Sequence, residues 1–209
     1  MPQDVLSALI LFAFVASMTP GPNNMMLMAS GVNYGFARSL PHMAGVSIGF
    51  SLMILLVGLG LAQVFDAYPV SYHVLRTLSV AYLLYLAYKI ATAAGPDRAS
   101  ATGKPFTFVQ AALFQWVNPK GWTMALTAIT VYAGPENPQA IYWLVAVFAV
   151  LSLLSVSSWT LLGLQLRRLL SSPARLRAFN WVMAALLVAS LYPVLLPAKA
   201  AIGASMVAS

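Results

Sequence analysis

The chain has 209 residues, 61% of them hydrophobic and only 7% charged, where a soluble domain carries about 25% charged residues; no soluble fold of this length can bury so much apolar surface, so lipid is the solvent for much of it. The absence of cysteine excludes a disulfide framework, a thiolate metal site and thiol redox chemistry. The net charge of +7 is that of basic loops on a membrane protein and does not argue for nucleic acid.

In lipid every backbone polar group must be satisfied internally, which leaves helices or a closed barrel. The apolar runs are long and continuous rather than alternating, so they predict helices. Six spans are expected, roughly 4–30, 40–64, 70–93, 106–132, 138–164 and 177–197. Breaks are expected at Asn33-Tyr34-Gly35, Asp66-Ala67-Tyr68-Pro69, Gly95-Pro96-Asp97 and Gly134-Pro135-Glu136-Asn137-Pro138, where turn residues cluster. The N-terminal run carries Asp4 and no Lys or Arg before it. It therefore lacks the positive region of a signal peptide, and the first span is expected to be retained.

Span one contains Thr19-Pro20-Gly21-Pro22-Asn23-Asn24. Each interior proline costs a helix about 3 kcal/mol and removes one ladder bond. Pro20 frees the carbonyl of Ala16 and Pro22 that of Met18, so the helix should break here. A new half-helix then starts at Pro22, and its free N–H groups can hold an anion. A plain proline kink is the bland alternative, but two prolines, a glycine and two asparagines in six residues favour a ligand site.

Span two carries Gly45-Val46-Ser47-Ile48-Gly49, read as a helix-packing seam, and Gly58 and Gly60 read the same way. His42 follows Pro41 near the end of this span and reads as an interfacial residue rather than a proton relay. In span three Tyr82, Tyr85 and Tyr88, with Trp143 of span five, read as packing or interface anchors.

Span four holds Gln115-Trp116-Val117-Asn118-Pro119-Lys120-Gly121-Trp122. Asn118 is suited to cap a helix whose first residue is Pro119, and Pro119 frees the carbonyl of Gln115. Lys120 lies near mid-span, where a lysine costs about 2.5–3.5 kcal/mol on insertion scales. A structural lysine bonded to freed carbonyls would explain it. The functional reading is capture of a substrate carboxylate, or a positive charge switched by loss of its proton.

The loop charges set an orientation. Arg38, then Lys89, Arg98 and Lys104, then Arg167, Arg168, Arg175 and Arg177 fall at alternate loops, whereas the other loops hold only Arg76 and the tail only Lys199. The positive-inside rule puts the first set in the cytoplasm and both termini outside. The chain reads as a single transmembrane domain, 1–209, divided near Pro96–Lys104 into halves of about 1–95 and 104–209. Three spans per half make the second half inverted, with the first and fourth helices broken by proline. Such repeats mark a transporter site at the midplane. The two breaks would then meet, with Thr19, Pro20, Gly21, Pro22, Asn23, Asn24, Gln115, Asn118, Pro119 and Lys120 around the substrate. Half-helix N-termini and Lys120 suit a carboxylate, and freed carbonyls and amides suit an ammonium, which is the polarity of an amino acid.

The acidic residues, Asp4, Asp66, Asp97 and Glu136, all fall in loops or at helix ends. A metal-cation exporter would want Asp and His at membrane depth. A membrane enzyme would show an acid–base or metal cluster, and none is present, nor is any cofactor motif. A non-transport scaffold would have no use for Lys120 and the doubled break.

These residues together resemble the LysE/RhtB family of amino-acid exporters. The stretches that carry the resemblance are Met18–Asn24, Gly35–Arg38, Ala44–Phe50, Tyr82–Lys89 and Asn118–Lys120, spread over about residues 5–130, with the last third matching by span pattern. The resemblance implies six helices in a bacterial inner membrane and export of amino acids or derivatives, such as threonine, homoserine or leucine, in exchange for protons. Ala44–Phe50 with Phe114–Asn118 looks most like the cysteine and O-acetylserine exporter branch. Many relatives carry an acidic residue where this chain has Phe50, which disfavours lysine or arginine as cargo. A homo-oligomer is left open.

Overall fold

The computed structural model describes residues 1–61, 63, 67, 68, 70–93, 104–133, 139–170 and 172–192. The expected breaks around Asp66, Asp97 and Glu136, and Arg98 and Lys199, lie outside the described residues. Among the described residues the regular structure is all helical, with no strand.

Helix α1 spans Gln3–Met18 and α2 spans Pro22–Tyr34. They are bent by 54° at the Thr19–Gly21 break. Thr19 and Gly21 are extended, and Pro22 opens α2 at its first turn, where its missing N–H costs nothing. Gly35 then turns the chain with φ +79, a conformation that favours glycine. This turn is where Asn33-Tyr34-Gly35 predicts one.

Helix α3 spans Phe36–Leu56 and runs on through a wider turn, Val57–Leu61. Pro41 sits in its second turn, past the free N–H groups of the first, and so leaves the Ala37 carbonyl without its ladder bond. Helix α4 spans Val70–Ala91, α5 Phe108–Val117, α6 Pro119–Ala128 with a wider turn to Ala133, α7 Ala140–Leu169 and α8 Pro173–Ala189. Thr107 starts α5 with a reciprocal capping box, its Oγ1 accepting from Gln110 N and its own N–H donating to Gln110 Oε1. Ser172 caps α8 by accepting from Arg175 N.

Among the described residues, Phe36–Leu61, His73–Ala91 and Ala140–Leu169 are each long and apolar enough to cross a bilayer, and α1 with α2 qualifies as a bent pair. Helices α5 and α6 have only 10 residues each and α8 has 17. At about 1.5 Å per residue each falls short of a hydrocarbon core of about 30 Å. The Asn118-Pro119 break is the cause for α5 and α6.

Among the described residues three interior clusters hold the bundle together, the smallest around Leu27, Met43, Val46, Ala111 and Val156. One joins α1, α3, α6 and α7 around Phe148, which meets Phe50 edge-on at 5.6 Å and Phe12 at 6.3 Å. Another joins α2, α4, α5 and α8 around Met26, Leu83, Phe114 and Leu187. The outward faces are apolar as well, with Leu11, Ile48, Val150 and Trp181 exposed. That is the pattern of a protein whose outer solvent is hydrocarbon, where helices associate by close packing rather than by burying apolar faces.

Small residues provide that packing. A Cβ on Gly45 would meet the Phe108 carbonyl, and one on Gly49 would lie 2.7 Å from Ala112 Cα, so the predicted seam is real and its partner is α5. Gly58 packs on Ile141. Gly60 does not serve packing; its φ of +112 opens the wide turn that ends α3. Gly31 faces the Thr160 backbone and Gly163 faces the Met28 backbone, so α2 and α7 cross almost in backbone contact.

Arg38, Lys89, Arg167 and Arg168 stand at helix ends that gather at one end of the bundle. Arg167 Nη1 lies 3.9 Å from where a Cβ of Gly35 would stand. Asn180 Nδ2 donates to Asn33 Oδ1 and to the Ala93 carbonyl, both at 3.0 Å. The α2–α3 turn, the end of α4, the end of α7 and the start of α8 therefore share one end of the bundle.

Candidate functional site

The two proline breaks meet. Lys120, in the first turn of α6, extends across the bundle, and its Nζ donates to the Thr19 carbonyl at 2.5 Å, with the Pro20 carbonyl at 3.5 Å. A Cβ on Gly21 would lie 2.6 Å from Lys120 Cδ, so any larger residue there would make the lysine shift its path. Next to this contact Asn23 and Gln115 form a reciprocal amide pair, Nδ2 to Oε1 at 2.9 Å and Nε2 to Oδ1 at 3.1 Å. Residues 92 apart in sequence thus bind across the two breaks.

At the first break the carbonyls of Ser17 and Thr19 find side-chain partners. Asn24 Nδ2 donates to the carbonyls of Ser17 at 2.8 Å and Thr19 at 2.9 Å, and Ser155 Oγ of α7 donates to Ser17 O at 2.8 Å. The carbonyls held at the break are thus those of Ser17 and Thr19, where the proline positions single out Ala16 and Met18. At the second break Asn118 Oδ1 accepts from Lys120 N at 3.2 Å, the expected cap. Trp122 Nε1 donates back over the break to Trp116 O at 2.8 Å.

Between the breaks lies a cavity with about 440 Å³ of empty space, its open mouth included. Gly21, Asn23, Asn24, Asn118, Lys120 and Gly121, at the N-terminal turns of α2 and α6, line it. Ser17, Val46, Phe50, Met124, Ser152 and Ser155 line it as well. Of the residues singled out in the sequence, Asn23, Asn24, Gly21, Asn118 and Lys120 therefore face the cavity. Thr19 and Pro20 contribute carbonyls, and the Thr19 hydroxyl turns back onto Val15 O at 2.6 Å. Pro22 and Pro119 open the two half-helices. Gln115 is fully buried behind the wall, its amide held by Asn23 and by Ala111 O. It positions Asn23 rather than lining the cavity.

Ser152 and Ser155 are functional candidates that sequence reasoning missed. Both are buried on one face of α7, and Ser152 Oγ donates to Ser47 Oγ of α3 at 3.1 Å. Their spacing of three within an apolar span is the available signal. His42 also departs from its reading as interfacial: it is fully buried, because α2 and Phe106 close over it. The tyrosines fit their anchor role, with Tyr82 donating to Gln110 O at 2.8 Å and Tyr88 exposed.

No carboxylate among the described residues reaches Lys120, and no group of metal-binding side chains occurs among them. The cavity is thus a positive, otherwise neutral site with hydroxyls and amides on its walls. Removing the Asn23 amide is expected to cost about 1–3 kcal/mol, because the buried Gln115 loses its partner. Thermal unfolding in detergent should show Asn23→Ala less stable than a double Asn23→Ala, Gln115→Leu variant.

A family model for the LysE type translocator matches residues 14–190, which reaches through α7 and into the end of α8. The cysteine/O-acetylserine efflux proteins of Escherichia coli K12, Escherichia coli O157:H7 and Shigella sonnei are each 34% identical over 194 residues, covering 90% of this chain and 96% of theirs. No solved structure matches the chain. A match that takes in both breaks, the cavity and all but the first turns of the bundle leaves one conclusion: the chain belongs to the LysE type translocator family.

Proposed function

We propose that this protein is a secondary exporter of neutral amino acids or close derivatives, of the cysteine or O-acetylserine kind, working by alternating access around the two broken helices. The observation that carries this reading is the ammonium of Lys120, unpaired by any described carboxylate, at a cavity lined by two half-helix N-termini. A zwitterion can exchange for the internal contact. Its carboxylate takes Lys120 Nζ, and the released Thr19 carbonyl accepts from its ammonium. No net charge enters the membrane in that exchange. The side chain then faces Ser152, Ser155, Val46, Phe50 and Met124, a wall that suits a short neutral group and offers no acceptor charge to lysine or arginine.

The relatives named as cysteine/O-acetylserine efflux proteins support the substrate class. The gathering of Arg167, the α2–α3 turn and the end of α4 at one end supports a cytoplasmic face there and both termini outside. The reading takes the chain as six spans in two inverted repeats in a bacterial inner membrane. Proton antiport is the coupling that fits a solute driven outward.

The test is overproduction in cells challenged with toxic levels of single amino acids. Resistance and extracellular accumulation are expected for cysteine or O-acetylserine and not for lysine or arginine, and both should fall when the proton gradient is collapsed. Failure to export any neutral amino acid by a protein shown to be in the membrane would end this reading.

A further inference from the structure

The proton's place in this exchange is not supplied by an acid, since the described residues at the cavity include none. A different titratable group is buried outside it. His42 of α3 is 0% exposed, and its Nδ1 lies 2.9 Å from Ser30 Oγ of α2. Its Nε2 is buried with no hydrogen-bond partner. In either neutral tautomer that nitrogen is unsatisfied, as a bare lone pair or as an idle N–H. Buried polar atoms without partners are uncommon and ask for an explanation.

The surroundings supply one. The Phe106 ring, in the segment that leads into α5, meets the imidazole at 4.9 Å. The same ring carries Lys89 Nζ of α4 at 4.6 Å. Phe106 is therefore packed against His42 and an ammonium at once. Lys89 is steadied by Gln110 Oε1 at 3.3 Å, and Gln110 donates to the Tyr85 hydroxyl at 3.1 Å. Around His42, α2 presents Ser30, α4 presents Lys89, the segment before α5 presents Phe106, and α7 brings Val156 and Trp159 alongside its neighbour Met43. Lys104 lines a small cavity with Ser30, Lys89 and Phe106, and Arg38 lies one turn earlier on α3. No described carboxylate is among these groups. A proton on His42 would set a second positive charge against the ring that Lys89 already occupies, and would give Nε2 an N–H with nothing to receive it. Both consequences push the stack apart and let water in.

Resting on the exporter reading above, we propose that the His42–Phe106–Lys89 stack is the gate at the basic end of the transporter, and that a proton on His42 opens it in the half-cycle in which the site returns empty. The proton arrives through the central cavity, binds Nε2, and leaves to water on the basic side once the gate parts. In the loaded half-cycle His42 is neutral, and the substrate drives the change.

Two measurements test this. In proteoliposomes His42→Gln is expected to keep substrate counterflow, which uses only loaded carriers, within about twofold of wild type, while net export driven by a pH gradient falls at least about tenfold. Equal pH-driven export by His42→Gln would overturn the role of His42. If wild type shows counterflow but no pH-driven export, proton coupling and this gate both fall, and the exporter stands. If wild type shows no counterflow for any neutral amino acid, the exporter reading itself is wrong. The second measurement keeps His42 in place. His73, exposed on α4, is the other of the two histidines, so a His73→Gln protein labelled in its histidine ring gives a single imidazole resonance. That resonance is expected to show the ring taking up a proton as the pH is lowered without substrate and staying neutral over the same range with saturating substrate. A ring that stays neutral throughout, or titrates alike in both conditions, would overturn the proposal.

Discussion

Lys120→Ala is expected to abolish export while leaving the protein folded and inserted. The substitution removes the one cation at the cavity and the ligand for the substrate carboxylate. Truncating one member of a buried charge pair costs about 2–5 kcal/mol, or at least a thirtyfold loss of affinity. Insertion should not suffer, because a mid-membrane lysine opposes it by about 2.5–3.5 kcal/mol. The Thr19 carbonyl, which loses its lysine, keeps Asn24 Nδ2. Lys120→Arg is expected to fail too, since a planar guanidinium is wider than an ammonium and presents its donors in a fixed fork. The measurement is export at matched membrane protein levels. Normal export by Lys120→Ala would mean that the lysine only braces the first break.

The largest effect on stability is expected at the crossing of α2 and α7. A Cβ on Gly31 would run into the Thr160 carbonyl, and one on Gly163 into that of Met28. These neighbours are backbone atoms and have no rotamer by which to yield. Either alanine must push the helices apart along the 30 residues of α7. Overpacking of this kind costs about 1–3 kcal/mol, and a leucine should cost more. The double alanine variant should cost less than the sum, because one separation relieves both clashes. Gly121→Ala is the contrast, since its nearest neighbour would be 3.6 Å away. Unfolding in detergent and membrane yield should rank these variants; equal stability of Gly163→Ala and Gly121→Ala would refute the close crossing.

What the sequence disclosed follows from how local each cause is. Proline acts on its own turn, so both breaks could be placed to the residue. A charge in an apolar run is conspicuous wherever it lies, so Lys120 stood out. Ser152 and Ser155 did not, because a serine in a membrane helix commonly bonds to its own backbone, as Ser79 does to Leu75 O and Thr160 to Val156 O. Only the fold brings Ser155 onto Ser17 O, 138 residues away. Gln115 was assigned to the cavity because a polar residue beside a break looks like a ligand; its saturation by Asn23 is a tertiary fact. His42 was placed at an interface because it follows Pro41 near the end of its span, whereas the covering Phe106 comes from the other half of the chain. The seam at Gly45 and Gly49 was visible as a pattern, but its partner α5 was not.

The amide pairs at the two ends of α2 have a mechanical consequence. Asn23 is tied to Gln115 of α5 near its start, and Asn33 is tied to Asn180 of α8 near its finish, at 2.7 Å and 3.0 Å in the two directions. Between them the helix is seated against α7 at Gly31 and Met28. A rod pinned at both ends and clamped along its length cannot slide along its own axis. Though it lies in the first half of the sequence, α2 is a strut of the second half. The joint on which α1 can swing against that frame is the extended stretch Thr19–Gly21, and the Lys120–Thr19 contact is the catch that holds it.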